Sequence, residues 1–418
     1  MVAVYPFAAL RPKRDAAQEI AAVPYDVVTA DEARAIIARN PQSFLRVSRS
    51  DAELAEIPPH DGRVYQRAAE NFHALRERGC MELDSSPTLY LYRVRQGCDT
   101  FLGIACCLDV EDYRSRRIRR HELTRYDKEE DRTRHIEATK SHNGPVVLLY
   151  RDEAGIVARL ESLIRAGIVP DAEVHVENGA VHQIFRLDPD DVLHLVDRFS
   201  TIPYLYIADG HHRAKSAVNV ADRHAGECGH EGIDRFLGVL FAHDRVRIHG
   251  YSRLLADIGG YTPETFLSDL NKVFTVESYG PADGGGFQLV PRVRKPHLYH
   301  IIHVYLEGTW YECTRPIDPK KTALETLDVA ILQEHVLFGM LGIRDPRGDA
   351  RLQYLGGARP IRDLTALVDN GSFRLAIAMQ PVRVDTVLAI ADADGVMPPK
   401  STWFEPKLLS GLLVHTFD

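Results

Sequence analysis

The sequence predicts an α+β protein in which mixed β-sheets are flanked by helices. Apolar stretches typical of strands interleave with amphipathic helices without the regular alternation of a doubly wound parallel sheet. The chain has no G-x-G-x-x-G after its first strand and no G-x-x-x-x-G-K-[ST] segment, so neither a standard dinucleotide fold nor a P-loop is indicated. Its length of 418 residues predicts about two to three lobes.

The first part of the chain predicts strands and helices in turn. Thr29 with Glu32 three residues later is a capping box, and Asn40 before Pro41 ends the helix that follows it. Two alternating segments joined through Gly97 indicate a hairpin. The predicted elements are a strand or extended start at 2–10, a helix at 29–39, a strand at 43–47, a helix at 64–78 and hairpin strands at 88–94 and 100–109.

In the rest of the chain, the spacing of apolar residues predicts the helices and strands, and glycine or proline residues mark their ends. We expect an N-terminal lobe at 1–254 and a C-terminal lobe at 255–418. A glycine-rich stretch at 281–286 is either a lobe boundary or a long hairpin connection. The predicted elements are strands at 145–150, 204–208, 236–241 and 247–254, helices at 156–166, 190–199, 263–273 and 327–341, a hairpin at 298–306 and 309–313, and two strands or helices in the tail at 389–417.

Charge and composition exclude several classes of protein. The net charge of −8 provides no overall basic field for nucleic acid. No signal peptide is recognisable, and no apolar stretch approaches the roughly twenty residues needed to cross a bilayer. The six cysteines show neither C-x-x-C spacing nor a zinc pattern. We therefore expect a cytoplasmic protein without a membrane partner.

The stretch at 204–217, YLYIADGHHRAKSA, carries the clearest chemical signal. An apolar strand ends at Asp209, Gly210 makes a tight turn, and a helix starts among His211, His212 and Arg213. A helix N-terminus attracts anions, glycine allows close approach, and arginine can hold a phosphate with two hydrogen bonds. The turn is therefore predicted to hold a phosphate or carboxylate, with Asp209 as a metal ligand or proton acceptor.

A second polar cluster runs from Arg119 to Arg125 and continues through the charged stretch at 127–137. Charges at helical spacing in 127–137 are typical of a solvent-facing helix. The segment 119–125 instead indicates a loop after a strand pair, where catalytic groups often gather. Within it, Glu122 is a candidate general base or magnesium ligand and Arg125 a candidate phosphate clamp.

Two further segments are less decisive. The segment Met397 to Lys407 holds three prolines, two lysines, two hydroxyls and the Trp403–Phe404 pair, a rigid polar and aromatic loop that suits nucleotide binding. Its alternative is a buried proline turn with a core aromatic pair. In the segment 23–28, Asp26 is either an acidic ligand or a turn residue.

On these motifs the chain resembles the bacterial and archaeal family of unknown function numbered 1015, over nearly its whole length. The Asp-Gly-His-His-Arg turn is also similar to the nucleotide-binding turn of the chromosome-partition-protein and sulfiredoxin superfamily, which includes kinases of free L-serine. The resemblance thus implies a partition-protein/sulfiredoxin-like nucleotide-binding core with an additional lobe. The motifs that carry the family resemblance are Val23 to Asp26, Asn40 to Leu45, His121 to Arg125 with Asp131 and Arg132, Ala208 to Arg213, and Met397 to Lys407.

The resemblance implies an ATP-dependent small-molecule kinase that phosphorylates a hydroxyl, with free L-serine as the acceptor and ATP or ADP with Mg²⁺ bound. Such chemistry depends on positioning and charge neutralisation. We assign catalysis to Glu122, Asp209 and His212, of which Asp209 and Glu122 also hold the metal. Nucleotide and phosphate binding is assigned to Gly210, His211, Arg213, Arg125, Lys400, Ser401, Thr402 and Lys407. Substrate binding is assigned to His121, Thr124 and Trp403.

Two other functions remain open from the sequence. A non-enzymatic regulator could bind a nucleotide at the same turn and switch a partner interface. A nucleic-acid-binding protein related to partition factors is disfavoured by the acidic balance and by the absence of a recognisable helix-turn-helix. The sequence does not decide whether the chain forms a homodimer.

Overall fold

The computed structural model of the chain describes residues 1–226, 232–281, 288–346, 348–356 and 360–417. The chain forms two compact units: the first joins Met1–Val246 with Pro406–Asp418, and the second is Arg247–Glu405. The sequence-based boundary between residues 254 and 255 stays a prediction. Cys228 and residues 282–286 of the predicted glycine-rich stretch lie outside the described residues.

The first unit contains most of the helices and strands. Its strands up to residue 246 are β1 Val4–Tyr5, β2 Leu10–Pro12, β3 Met81–Leu83, β4 Tyr90–Gln96, β5 Asp99–Asp109, β6 Ile118–Arg119, β7 Ser141–His142, β8 Val146–Tyr150, β9 Ala172–His175, β10 Val181–Arg186, β11 Leu205–Asp209 and β12 Arg235–Ala242. Its helices are α1 Ala17–Ile20, α2 Ala30–Arg39, α3 Leu45–Ser48, α4 Gly62–Glu77, α5 Val110–Arg114, α6 Tyr126–Thr139, α7 Ile156–Arg165, α8 Pro189–Phe199 and α9 His211–Arg223.

The main sheet of the first unit is mixed. Within the described residues its order is β6-β11-β8-β12-β5-β4-β10-β9, with β1 also paired to β5. The pairs β6–β11 and β8–β12 are parallel, whereas β4, β5, β9 and β10 are joined by antiparallel pairs. The predicted α+β class with mixed sheets is therefore confirmed.

The core of the first unit lies between this sheet and helices α7, α8 and α9. Ile156, Leu160 and Leu163 recur at helical spacing on α7 and are buried. On α9, Ala214, Ala217, Val218 and Ala221 join the same cluster. The helix that starts at the Asp-Gly-His-His-Arg turn is thus held against the sheet by small apolar side chains, which fixes the position of the turn.

The predicted capping box is present, since the Thr29 side chain accepts from the Glu32 N–H and Glu32 accepts from the Thr29 N–H. The predicted strand at 43–47 is wrong, because residues Leu45–Ser48 form helix α3. Ser43 accepts a hydrogen bond from the Leu45 N–H, which starts the turn, and Phe44 is fully buried. A short apolar run fits a buried helical turn as well as a strand.

The second unit is built around another sheet. Its order is β15-β17-β16-β19-β14-β18 within the described residues, and all of its pairs are antiparallel. Its strands are β13 Arg247–His249, β14 Ser252–Leu255, β15 Thr275–Gly280, β16 Tyr299–Leu306, β17 Thr309–Pro316, β18 Leu352–Leu355, β19 Leu375–Met379 and β20 Trp403–Glu405. Its helices are α10 Pro263–Leu270, α11 Asp328–Ile331 with a π-helix at Leu332–Phe338, α12 Ile361–Asp369 and α13 Val384–Asp392.

The C-terminal segment from Pro406 onward belongs to the first unit. Ser410 exchanges two backbone hydrogen bonds with Ala22, and the Gly411 N–H donates to the Asn143 carbonyl. Strand β21, His415–Thr416, then pairs with β7. This segment therefore brings its side chains to elements that are distant in sequence. No helix among the described residues is long and apolar enough to cross a membrane.

Candidate functional site

The turn after β11 has the predicted strand–glycine–helix geometry. Gly210 has a φ of 94°, in the left-handed region that favours glycine. The pairing of β11 with β8 shifts register between Ile207 and Asp209, an irregularity at the end of β11. The first N–H groups of α9 have no helical carbonyl to bond. The turn therefore presents backbone donors and the positive end of a helix dipole.

Asp209 is held between two cations. The Arg213 Nη2 donates to its Oδ2 at 2.5 Å, and the Lys407 Nζ donates to its Oδ1 at 2.7 Å. The three side chains are 21%, 11% and 20% exposed, respectively. Burial raises the pKa of Asp209, but Lys407 and Arg213 outweigh burial and hold that pKa below its usual range. One carboxylate thus accepts hydrogen bonds from two cations.

Arg213 lies directly over the turn. A Cβ added at Gly210 would lie 3.0 Å from its Cζ, so glycine is also needed for space. Its Nη1 donates to the Pro145 carbonyl, and its Nε is buried without a hydrogen-bond partner among the described residues. Burial lowers the pKa of Arg213, but Asp209 and then Asp26 raise it overall, and the guanidinium stays charged.

Two buried histidines lie beside the turn. The rings of His121 and His211 are perpendicular, with centroids 4.6 Å apart. Burial lowers the pKa of His121 to about 4, and burial with His121 as a neighbour lowers the pKa of His211 well below its ordinary value. Both rings are therefore neutral at pH 7. The Glu122 Oε2 lies 3.8 Å from the His211 Nδ1, and the Glu122 side chain is 40% exposed.

His212 and Arg125 are brought together differently from what the sequence suggests. The Arg125 backbone N–H donates to the His212 Nε2 at 3.1 Å, so the neutral ring carries its proton on Nδ1. The Arg125 guanidinium pairs with both Asp127 oxygens, at 3.1 and 2.8 Å. Thr124 is half-buried in the same loop. For Arg125 to bind phosphate as predicted, its guanidinium would have to give up its hydrogen bonds to Asp127.

The second unit carries the other predicted residues. The Ser401 hydroxyl donates to the Pro398 carbonyl at 2.6 Å, and the Lys400 carbonyl accepts from Arg253 at 3.1 Å. The Trp403 ring packs edge-on against Tyr251, 5.4 Å between centroids. Thr402 is half-buried. Roles for Lys400, Ser401, Thr402 and Trp403 in binding stay predictions.

A narrow cleft of ≈ 440 Å³, including its part open to solvent, adjoins Arg213 in the first unit. Sequence analysis assigned no role to most of its polar lining. We use "the cleft" below for the space lined by Tyr25, Arg132, His142, Asn143, Arg213 and Ser410. The polar run from Ser141 to Gly144 immediately before strand β8 was the available signal, since polar residues at strand ends often form sites.

Helix α6 supplies part of this lining, which corrects its interpretation as a solvent-facing helix. Thr133 is fully buried and His135 is 3% exposed. Arg132 is stacked on the Tyr25 ring at 4.3 Å and pairs with Asp131 at 2.8 Å. Some of the charged and polar residues on α6, including Arg132 and His135, therefore face the interior of the unit. The ion pair with Asp131 makes the burial of Arg132 possible.

The chain matches a family described as proteins of unknown function, DUF1015, over residues 4–330. The chain belongs to this family, as the motifs indicated. No curated protein sequence matches it. Among solved structures it is similar to a free serine kinase in complex with AMP, at 11% identity and a TM-score of 0.38, over 75% of this chain and 91% of that one.

Two other solved structures are similar at the same level. SbnI with a C-terminal truncation from Staphylococcus aureus is 9% identical, with a TM-score of 0.37, over 74% of this chain and 86% of that one. A conserved hypothetical protein from Pyrococcus furiosus is 12% identical, with a TM-score of 0.32, over 72% and 90%.

Proposed function

We propose that the first unit binds a nucleotide and transfers its terminal phosphoryl group to the hydroxyl of a small molecule, with free L-serine as the acceptor that the motif resemblance implies. The observation that carries the proposal is the Asp209 carboxylate shared by Arg213 and Lys407 at the N-terminus of α9. Two cations lie beside this carboxylate, where backbone N–H groups also converge. Such a site favours phosphate oxygens.

The role proposed for each side chain follows from its charge and its contacts. Asp209 positions Arg213 and Lys407, because its two oxygens already accept from them. The partly exposed Glu122 is the proposed base for the acceptor hydroxyl, and its Oε2 lies 3.8 Å from the Nδ1 of the neutral His211. The Arg125 backbone orients His212, which reaches the phosphates from the first turn of α9.

Magnesium fits Glu122 better than Asp209. The part of the chain that the structure describes has no cluster of three or more His, Cys, Asp or Glu suited to a metal ion. Mg²⁺ commonly binds through one or two carboxylates and the phosphates of its nucleotide, and Glu122 offers a partly exposed carboxylate. When bound there, Mg²⁺ would neutralise phosphate charge.

The test is direct phosphorylation. Purified protein with ATP, Mg²⁺ and L-serine should release O-phosphoserine, measured by mass spectrometry alongside a panel of other hydroxyl compounds. Glu122→Gln should retain nucleotide binding by calorimetry and lose at least about 100-fold in turnover. The matched control is Glu70→Gln on the exposed face of α4, which should leave both unchanged. Absence of nucleotide binding and of turnover with every acceptor would refute the proposal.

The same variants separate an enzyme from a regulator. A nucleotide-responsive regulator would bind nucleotide in the wild type and in Glu122→Gln, and would release no phosphorylated product in either. In a kinase, only the variant lacks the product.

A further inference from the structure

The second unit contains a cavity of its own, to which sequence analysis assigned no role. Including its part open to solvent, it measures ≈ 630 Å³, which is within the range of small-molecule sites. We use "the second-unit cavity" for this space, whose lining includes His249, Ser252, Leu355, Leu364, Ala378 and Gln380.

The floor of the second-unit cavity is one face of the sheet. Ser252 on β14 pairs with Leu355 on β18, and the register of β14 with β19 places Ala378 on the other side of Ser252. Helix α12 contributes Ile361 and Leu364, which are three residues apart and therefore share a face of the helix. Leu364 and Ala378 also belong to the hydrophobic core of the unit. A ligand would therefore meet a preformed and mostly apolar surface.

One polar side chain of the cavity has a defined orientation. The Gln380 Nε2 lies 3.4 Å from the His303 Nδ1, and the Nε2 of the same ring lies 3.2 Å from the Glu312 Oε2. Burial lowers the pKa of His303 by more than Glu312 raises it, so the ring is neutral at pH 7. Because a carboxylate only accepts, the ring carries its proton on Nε2, and its Nδ1 accepts from the Gln380 amide.

This arrangement leaves the Gln380 oxygen available to a ligand. Glu312 is itself held in place, since its two oxygens accept from the Arg292 backbone N–H at 3.0 and 3.3 Å. The amide of Gln380 cannot turn over without placing its oxygen against the His303 lone pair. Its Oε1 has no hydrogen-bond partner in the part of the chain that the structure describes. The cavity thus presents a positioned acceptor beside an apolar surface.

The lining of the cavity disfavours a charged ligand. Among the described residues, no Asp, Glu, Lys or Arg lines it. The His249 Nε2 is occupied by the Glu405 Oε2 at 3.2 Å. A charged group would lose its hydration there without meeting an unpaired opposite charge, which is costly. Phosphates and zwitterions therefore fit this cavity poorly, in contrast to the turn at Asp209.

We infer that the second-unit cavity binds a small uncharged molecule with an apolar body and an N–H or O–H group that donates to the Gln380 oxygen. This goes beyond the proposed function, because the ligand is neither a nucleotide nor an amino acid and the cavity is lined by the second unit. Burial of the apolar body supplies affinity, and the single positioned acceptor supplies specificity.

The test compares four compounds of nearly equal size and shape, added to the full chain in isothermal titration calorimetry. Benzamide is uncharged and has N–H donors, acetophenone has a methyl group in place of the NH₂ group, benzoate is an anion and benzamidine is a cation. Benzamide should bind at least about tenfold more tightly than acetophenone, which leaves the Gln380 oxygen unsatisfied. It should also bind at least about tenfold more tightly than either ion, which must lose its hydration. Equal affinity for benzamide and acetophenone, tighter binding of either ion, or no binding of benzamide would overturn the inference.

Variants locate the bound compound. Gln380→Leu should weaken benzamide about tenfold and leave acetophenone unchanged, because only benzamide donates to the Gln380 oxygen. The matched control is Gln353→Leu, at an exposed residue of β18 outside the cavity lining, which should change neither affinity. Ala378→Val places two methyl groups in the cavity and suits a strand, so it should fold and weaken both compounds. If Gln380→Leu fails to fold, unchanged affinities in Ala378→Val contradict the inference.

Calorimetry of unfolding separates this inference from the proposed function. Benzamide should raise the midpoint temperature at which the second unit unfolds and leave that of the first unit unchanged, because a ligand stabilises the unit that binds it. A rise confined to the first unit would overturn the inference. A protein without phosphoryl transfer that binds benzamide in this way would support the cavity and refute the kinase. Phosphoryl transfer without benzamide binding would do the reverse.

Discussion

At Asp209 one carboxylate is shared by Arg213 and Lys407. Sequence reasoning could identify the Asp209 turn because a strand, a glycine and a helix start are local patterns. It selected Lys407 for its charge, and only the fold brings Lys407 to Asp209, 198 positions earlier in the chain.

Replacing Lys407 tests the charge argument. Lys407→Met should weaken nucleotide binding by about 10- to 100-fold, because each hydrogen bond to a charged group contributes about 1.5–3 kcal/mol. Calorimetry at fixed ionic strength measures this. The control Lys321→Met removes an exposed lysine paired with Glu325 in the second unit and should change affinity less than twofold. An unchanged nucleotide affinity in Lys407→Met would show that the phosphates do not bind at Lys407.

The buried histidines predict how stability depends on pH. Burial lowers the pKa of His121 to about 4 in the folded chain, whereas an unfolded chain has a histidine pKa of about 6.5. Between these values the unfolded state binds more protons, so stability falls as pH falls through this window. Each such histidine contributes a slope of about 1.4 kcal/mol per pH unit.

His121→Gln should therefore flatten the dependence of the unfolding free energy on pH between about 6 and 4.5, measured by urea denaturation. His73→Gln, on an exposed helix face with Glu77 as partner, should keep the wild-type slope. A slope in His121→Gln equal to the wild type would show that this ring is not held neutral.

At the level of elements, the sequence predicted segments bounded by local capping and turn signals well. The predicted helix at 327–341 is instead a short α-helix followed by a π-helix, and the predicted strand at 247–254 is two strands. The capping box at Thr29 and the hairpin β4–β5 follow local rules and were predicted. Helix α3 was predicted as a strand because its apolar run is short. The inward face of α6 was missed because Arg132 packs on Tyr25 and His135 bonds to the Val47 carbonyl, both in distant segments of the chain. For the same reason the cleft could not be assembled from one local motif.

Gly411 shows how one glycine fixes the C-terminal segment. Its φ is 76°, and a Cβ there would lie 2.3 Å from the Phe44 Cγ. Gly411→Ala should destabilise the first unit by about 2–4 kcal/mol, since both backbone strain and overpacking arise. Gly79→Ala is the control, because its φ of 68° gives strain without any atom within 4 Å, and about 1 kcal/mol is expected. Equal losses in chemical denaturation would contradict the overpacking.

For the whole molecule, the division into two units predicts two unfolding transitions, because each unit has its own core. In differential scanning calorimetry, ATP with Mg²⁺ should raise the midpoint temperature of the first unit's transition and leave that of the second unit unchanged. Deletion of residues 406–418 should lower the midpoint temperature of that transition, since the segment supplies strand β21. It should also abolish the rise in midpoint temperature caused by nucleotide, since the segment supplies Lys407. A nucleotide shift of similar size in the deletion variant would exclude Lys407 from the site.

Asp209 and Lys407 also leave the ribosome at different times. The second unit, Arg247–Glu405, is synthesised between them, which takes on the order of ten seconds at about 5–20 residues per second. In the emerging first unit, Asp209 can pair with Arg213 but not yet with Lys407. The Lys407 partner becomes available only after the entire second unit has been translated. Nascent chains cannot acquire the complete anion site early, and their acquisition of nucleotide affinity would report the arrival of the segment that carries Lys407.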